Sequence, residues 1–282
     1  LATTAGAVYI TKDGGSNFEG SIHAYSGGYS SKDPIYADLE KFNFNDDYSI
    51  SANLSGPIVP GRISFYSSGR VNNSQGWLNG LQTFTMYGDT VFVDNNDNKY
   101  FDFGDEKKKP FFKSLNWHQS WSTQNKITFS LSPTTMIKLN TIFDSRINQD
   151  YNYVLQLIDE GQRTNYKKGQ LYSFSLSKSL SPATFFKINL SRYIYSFETN
   201  LFQDSLDQRY VTPDSLYWAN TQGIVPDYIK EKYGDDVIFN PPYSLYRAGV
   251  DNRRFERETN TQSIKFDFTS QINKYNEVKI GM

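Results

Sequence analysis

Cysteine is absent from the 282 residues, which rules out a disulfide framework, a thiolate metal site and a cysteine nucleophile. Histidine is nearly absent as well: His23 and His118 are too few for a zinc site of the usual kinds. Charge of one sign is missing too, since 29 Lys+Arg face 30 Asp+Glu for a net −1, so no broad electrostatic partner such as nucleic acid is expected. No apolar run approaches the roughly 18 to 20 residues of a transmembrane helix. This leaves open a barrel strand, which needs only about ten residues with alternate ones apolar. Leu1-Ala2-Thr3-Thr4-Ala5 has neither the basic start nor the apolar core of a signal peptide. The protein is therefore either cytoplasmic or begins upstream, and the way the sequence stops favours the second. Ser, His and Asp occur without a nucleophile elbow or a paired spacing, so no catalytic residue, metal or cofactor is assigned and no enzyme is expected.

Aromatic residues are what the chain has in excess, 16% with 21 Phe and 21 Tyr, while mean hydropathy is −0.61. A polar chain rich in Tyr, Phe, Ser, Asn and Thr favours strands and turns over helices. Period-two alternation recurs along it. Phe18, Gly20, Ile22 and Ala24 alternate with Glu19, Ser21, His23 and Tyr25; Tyr48, Ile50, Ala52 and Leu54 alternate with serines and Asn53. Ile137, Leu139, Thr141 and Phe143 oppose Lys138, Asn140, Asp144 and Arg146. The pattern predicts eight strands, near 16–28, 46–56, 61–72, 117–131, 136–148, 168–180, 184–197 and 259–271, with a ninth begun at 277–282. Three polar residues fall on apolar faces. Lys178 and Arg192 can snorkel, whereas Asn125 calls for a bulge or a change of register.

The connections alternate in length. Long ones at 29–45, 73–116, 149–167 and 198–258 are separated by "PIVPG", "SPTT", "SPAT" and the turn at 272–276. Short turns at one end and long loops at the other are the pattern of an antiparallel up-and-down β-barrel across an outer membrane. A soluble sandwich has no reason to collect its long loops at one end. Outward apolar residues and inward Ser, Asn, Lys, Arg and Asp suit a wide polar lumen. Tyr25, Tyr48, Tyr151, Tyr193, Tyr195 and Phe197 lie near strand ends, where interfacial girdles belong. The closing stretch "IKFDFTSQINKYNEVKIGM" is a strand, a turn and the opening of another strand, so the chain reads as a fragment.

"AGAVYITKDGGSNFEGSIHAYSG" carries Gly6, Val8, Ile10, Thr11, Lys12, Gly14 and Gly15, followed by Phe18, Gly20 and Ser21. It resembles the junction where the plug domain of TonB-dependent outer-membrane receptors ends and the barrel begins. "LSGPIVPGRISFYSSGR" resembles that family's first periplasmic turn, and Leu180–Tyr193 and Phe266–Gly281 are similar to later hairpins. Tyr9 departs from the Asn common there. The resemblance implies a plug tail over residues 1–15 and, over 16–282, the first eight or nine strands of an incomplete barrel of about 22 strands. It also implies the outer membrane of a Gram-negative bacterium, contact with lipid and lipopolysaccharide, and a TonB-complex partner reached through an upstream segment. The implied activity is import of a scarce solute such as a siderophore, a cobalamin-like molecule or an oligosaccharide. A passive porin or adhesin barrel is the alternative, and the plug-like strand counts against it. A secreted β-rich enzyme would need clustered acids or histidines at strand ends, which are not found.

Candidate site residues follow from position. His23, Arg62, Tyr66, Arg70, Asp144 and Arg146 face the lumen and would meet plug or solute. Trp77, Trp117, Tyr217 and Trp218, with Tyr243 and Tyr246, lie in or beside the external loops, where aromatics stack on ligands or simply pack the loop. Asp94, Asn96, Asn98, Asp102 and Asp105 are spaced somewhat like a calcium loop, but Lys99 stands where glycine should make the sharp turn. A solvated acidic loop is the reading adopted. The basic stretch Glu106–Lys113 is read as facing lipopolysaccharide or solvent.

Overall fold

The alternating segments pair in chain order into one sheet. The computed structural model describes residues 12–33, 35–82, 91–93, 99–103, 106–108, 112–158, 161–204, 206–207, 210 and 250–282. The strands are β1 (Glu19–Gly27), β2 (Asp47–Val59), β3 (Ile63–Ser74), β4 (Asn79–Leu81), β5 (Val91–Val93), β6 (Lys99–Phe103) and β7 (Glu106–Lys108). They continue as β8 (Phe112–Ser114), β9 (His118–Ser132), β10 (Thr135–Asn148), β11 (Thr164–Ser181), β12 (Thr184–Asn200), β13 (Phe255–Gln271) and β14 (Glu277–Gly281). Nine of them form an antiparallel sheet in the order β1-β2-β3-β9-β10-β11-β12-β13-β14, so β1 and β14 are its two edges and the sheet is not closed. The five short strands sit in the connection between β3 and β9, as a β4–β8 pair and a β5-β6-β7 sheet.

Short turns join β2 to β3, β9 to β10, β11 to β12 and β13 to β14, and the long connections lie at the opposite end. At the first of these turns Gly61 adopts φ +73°, and the Arg62 N–H closes the turn on the Val59 carbonyl at 2.9 Å. Register shifts at Pro57/Val59, Thr135/Met136 and Ser179/Ser181 all lie beside short turns. The strand bodies between are regular, so face parity holds along their length.

Burial runs opposite to that of a water-soluble sheet. On one face Ile22 is 77% exposed, Ile264 71% and Leu54 50%. On the other, Ser49 and Lys126 are each 6% exposed and Thr128 7%. Apolar side chains thus look outward while polar ones are covered. The buried apolar cluster lies instead among the loops: Leu155, Ile158, Phe202 and Tyr210, flanked by Val154, Leu201 and Val250. Among the described residues no helix is long and apolar enough to cross a membrane.

Three sequence expectations change. β11, β12 and β13 run to the pairs Thr164–Asn200 and Phe255–Thr199, further toward the loops than alternation suggests. There Arg257, Glu256 and Glu258 meet Phe197, Glu198 and Ser196, and polar residues on both faces erase the period-two signal. Asn125 needs no bulge: it stands opposite Ser67, whose Oγ lies 2.7 Å from its Oδ1. Tyr193, Tyr195 and Phe197 pair with Leu171, Gly169 and Lys167, which puts them on the polar face, and Tyr25 joins them there opposite Ser49. Of the residues assigned to a girdle, Tyr48 alone has the parity of the apolar face, opposite Asn73; Tyr151 is in a loop.

Candidate functional site

The long-loop end is knitted together by side-chain amides. Gln82, 1% exposed, donates through Nε2 to the carbonyls of Gly80 and of Gln156, linking the loop after β3 to the loop after β10. The Trp117 indole N–H donates to Gln149 Oε1 at 3.1 Å, and Gln149 Nε2 donates to the Gln162 carbonyl at 2.9 Å. Asn79 Nδ2 reaches the Ala37 carbonyl, tying in the loop after β1. Buried amides need such partners, and here they also set where the loops lie.

This framework surrounds a cavity of about 230 Å³ lined by Asp150, Tyr151, Asn152, Gln162, Arg163, Asn165, Asp251 and Arg253. The connection between β10 and β11, which includes a single 3-10 turn at Tyr153–Leu155, supplies one wall through Asp150, Tyr151, Asn152, Gln162 and Arg163, with Asn165 at the start of β11. The chain returning into β13 supplies the other. Asn152 caps the 3-10 turn by accepting from the Val154 N–H. Asp150 accepts from Asn148 Nδ2 at 2.8 Å and from Asn165 Nδ2 at 2.7 Å. Asp251 is 8% exposed and accepts from Arg253 Nε and Nη2 at 2.9 and 2.8 Å, with Arg163 Nε at 3.6 Å. Burial alone would raise the Asp251 carboxyl, but the hydrogen bonds from Arg253 and the charges of both arginines outweigh it and hold it below the usual carboxylate range. The Asp251 N–H donates to the Gly161 carbonyl at 2.9 Å, so both walls are fastened across the cavity mouth.

At about 30 Å³ per water the cavity holds roughly eight waters, or one ring or head group of a larger solute. Its carboxylates, guanidinium groups, amides and phenol hydrogen-bond in both directions, and they include no nucleophile with a base beside it. The arrangement suits binding. Among the described residues no group of three His, Asp or Glu could hold a metal ion.

Five of the six residues expected to face a lumen share a face, as parity requires. His23, Ser51, Arg70, Ser122 and Asp144 stand in one row of the register. Tyr66, opposite Ser55 and Lys126, lies on the same face nearer the short turns; Arg146, opposite Ser120 and Lys167, lies on it nearer the loops. Asp144 has room for its carboxylate because residue 169 is glycine, where a Cβ would come within 2.3 Å of Asp144 Oδ1. Arg62 does not join them, since it sits exposed in the β2–β3 turn. Trp77 packs edge-on to Tyr36 at 5.9 Å, and Trp117 braces Gln149, so neither tryptophan lines the cavity. Tyr217, Trp218, Tyr243, Tyr246, Asp94, Asn96, Asn98 and Asp105 lie outside the described residues; Asp102 pairs with Lys107 in the β6–β7 hairpin.

Sequence reasoning missed Asp150, Arg163, Asp251 and Arg253. Their meeting depends on Asp251 returning beside Gly161 after a connection of about fifty residues, and no local spacing announces that. The chain matches no family model and no curated protein, and its fold matches no solved structure.

Proposed function

We propose that this chain forms part of the wall of a TonB-dependent outer-membrane receptor, which captures a scarce solute at its long loops and imports it. The observation that carries the reading is how the outward apolar band slides against the register. One row, Phe65, Ile127, Leu139, Phe174, Leu190 and Ile264, is apolar from β3 to β13. The row of Val71 and Trp121 becomes polar on the way, passing through Ser145, Lys168 and Ser196 to Glu258. On the outward face Val71 is the last apolar residue of β3 toward the loops, and Ile264 is the last on that face of β13. Between them the limit is uneven, with Ile147 of β10 in the row of Asn73 and Ile194 of β12 in the row of Gly69, but from end to end it moves by six residues, from 71 to 65 along β3, over five strand-to-strand steps.

At about 3.3 Å per residue and 4.8 Å between strands, that slip corresponds end to end to strands tilted by roughly 40° from the normal of a level apolar belt. Barrel strands crossing a bilayer tilt by about 35–45°. A soluble sheet packed on a second layer has no slab to which its apolar band must stay parallel. In the proposed barrel further strands cover the free edges of β1 and β14. Lys12 and Asp13, held by lysines of the polar face, support a plug, and the polar cavity supports solute capture at the loops.

A plugged lumen leaves no open path for diffusion until work is done on it. In cells carrying the intact receptor, dissipating the proton gradient should leave solute bound and abolish its accumulation. Accumulation continuing at the same rate, with open-channel conductance in planar bilayers, would instead identify a passive barrel.

A further inference from the structure

The chain reaches its first strand by crossing the sheet. Residues 12–15 precede β1 in sequence, yet Asp13 is held by strands far from it. Asp13 Oδ1 accepts from Lys126 Nζ of β9 at 2.9 Å, and Oδ2 accepts from Lys138 Nζ of β10 at 2.5 Å. Lys126 Nζ also donates to the Lys12 carbonyl at 3.0 Å. Gly14 then rides over β3, where a Cβ would lie 2.4 Å from the Phe65 carbonyl oxygen, so a side chain has no room. Phe18 follows, against Gly56 of β2 and with its ring 6.3 Å from that of Phe65.

The lysines come from adjacent strands and the same polar face, opposite Tyr66 and Thr128 respectively. Two ammonium groups so placed repel unless an anion lies between them, and a charge as covered as Lys126 needs a partner. One carboxylate serves both. Partial burial pushes the Asp13 carboxyl up, but the hydrogen bonds and charges of Lys126 and Lys138 outweigh it and leave it below the usual range. A group with a depressed folded value keeps its stabilisation above the unfolded value of about 3.9 and loses it only as pH falls through the folded one, so near neutrality the clip is closed.

We propose that residues 12–15 are a strap that stays clipped to the wall through Asp13, so that whatever moves in the chain before Lys12 pivots there. Three restraints act within three residues: the shared carboxylate, the bond to the Lys12 carbonyl, and a glycine seated on a strand backbone. The tether is short as well, because Gly15 is four residues from Glu19 of β1. Thr128, opposite Lys138 and two residues from Lys126, is 7% exposed and stands where such a strap would cover it. The clip itself stands independently of the receptor reading; only the pivot's part in uptake rests on it.

The full-length protein carrying Thr128→Cys tests this through the rate at which a water-soluble maleimide labels position 128. Labelling should be slow. Asp13→Asn and Asp13→Lys should each speed it by about tenfold as the charge-assisted clip is lost. Adding Lys138→Asp to Asp13→Lys should restore protection by placing the anion on the wall, an outcome that general loosening would not produce. Where Asp13→Lys does not assemble, the near-isosteric Asp13→Asn carries the comparison. Equal labelling in all backgrounds would overturn the strap. In energised cells the labelling rate should match that in cells without a proton gradient; faster labelling under the gradient would overturn a fixed strap in favour of one that lifts. If uptake shows no dependence on the gradient, the receptor reading fails while the Asp13 comparisons still decide the clip.

Discussion

Asn125 sits between Thr123 and Ile127 on the outward face of β9, where an amide has no business unless something answers it. Ser67 answers it from the neighbouring strand, and the pair closes on itself at 2.7 Å. The contact spans 58 residues of sequence, so it could not be read locally. In the proposed barrel, removing one partner strands the other against lipid. Ser67→Ala and Asn125→Ala should each cost about 1 kcal/mol, whereas Ser67→Ala with Asn125→Leu should be neutral or better, because both polar groups go together. Urea unfolding of the intact protein in lipid vesicles measures it; neutral single variants would mean that Asn125 has another partner. The aromatics of β12 teach the opposite lesson. Ile188, Leu190 and Ile194 are even-numbered while Tyr193, Tyr195 and Phe197 are odd, so their face was legible by parity. Placing them by nearness to a strand end overrode the stronger signal.

At the scale of elements, strands and loops depend on different information. The strand bodies follow period two because one face meets polar cover and the other does not, and that contrast is written in consecutive residues. The cavity between the β10–β11 loop and the entry to β13 depends instead on a carboxylate from one segment finding guanidinium groups in two. Asp251 fastens the walls through Arg163 and Arg253. Because its carboxyl is held below the usual range, its contribution is present above the unfolded value of about 3.9 and lost as pH falls through the lower folded one. Amide hydrogen exchange in residues 161–165 should therefore be the same at pH 8 and pH 5 after correction for intrinsic rates. Asp251→Asn should speed that exchange at both. A rise between pH 8 and pH 5 in the native protein would assign the fastening to another group. Arg253 is largely exposed, so salt should weaken its part of the clasp more than the part played by Arg163.

Over the whole molecule, the order of the sheet and the end at which the loops gather were legible, because strand count and connection length are local properties. Where the apolar band lies across the sheet was not. It emerges only when each strand's band is laid on the register of its neighbours, and register depends on pairings that sequence alone leaves open. The oblique band makes a prediction that the two-face pattern of a single strand does not. Ala52 of β2 and Gln170 of β11 stand in the same row and on the same face, joined through Gly69, Thr123 and Phe143. If the apolar belt followed the register, an arginine at either position would lie at the same depth. With strands tilted by roughly 40° from the normal of the belt, Ala52 lies within it, between Ile50 and Leu54. Gln170 lies beyond Tyr172, at the edge toward the loops. Ala52→Arg in the intact protein should cost about 2 to 4 kcal/mol and Gln170→Arg about 0 to 1, the difference between mid-bilayer and interface. The wild-type chain already carries Lys168 and Arg192 on this face of β11 and β12, which is what that placement requires. Heat-modifiable gel mobility and vesicle refolding of the two variants measure it. Equal damage from both would mean that the apolar band runs along the register, and the argument for a tilted membrane wall would fall with it.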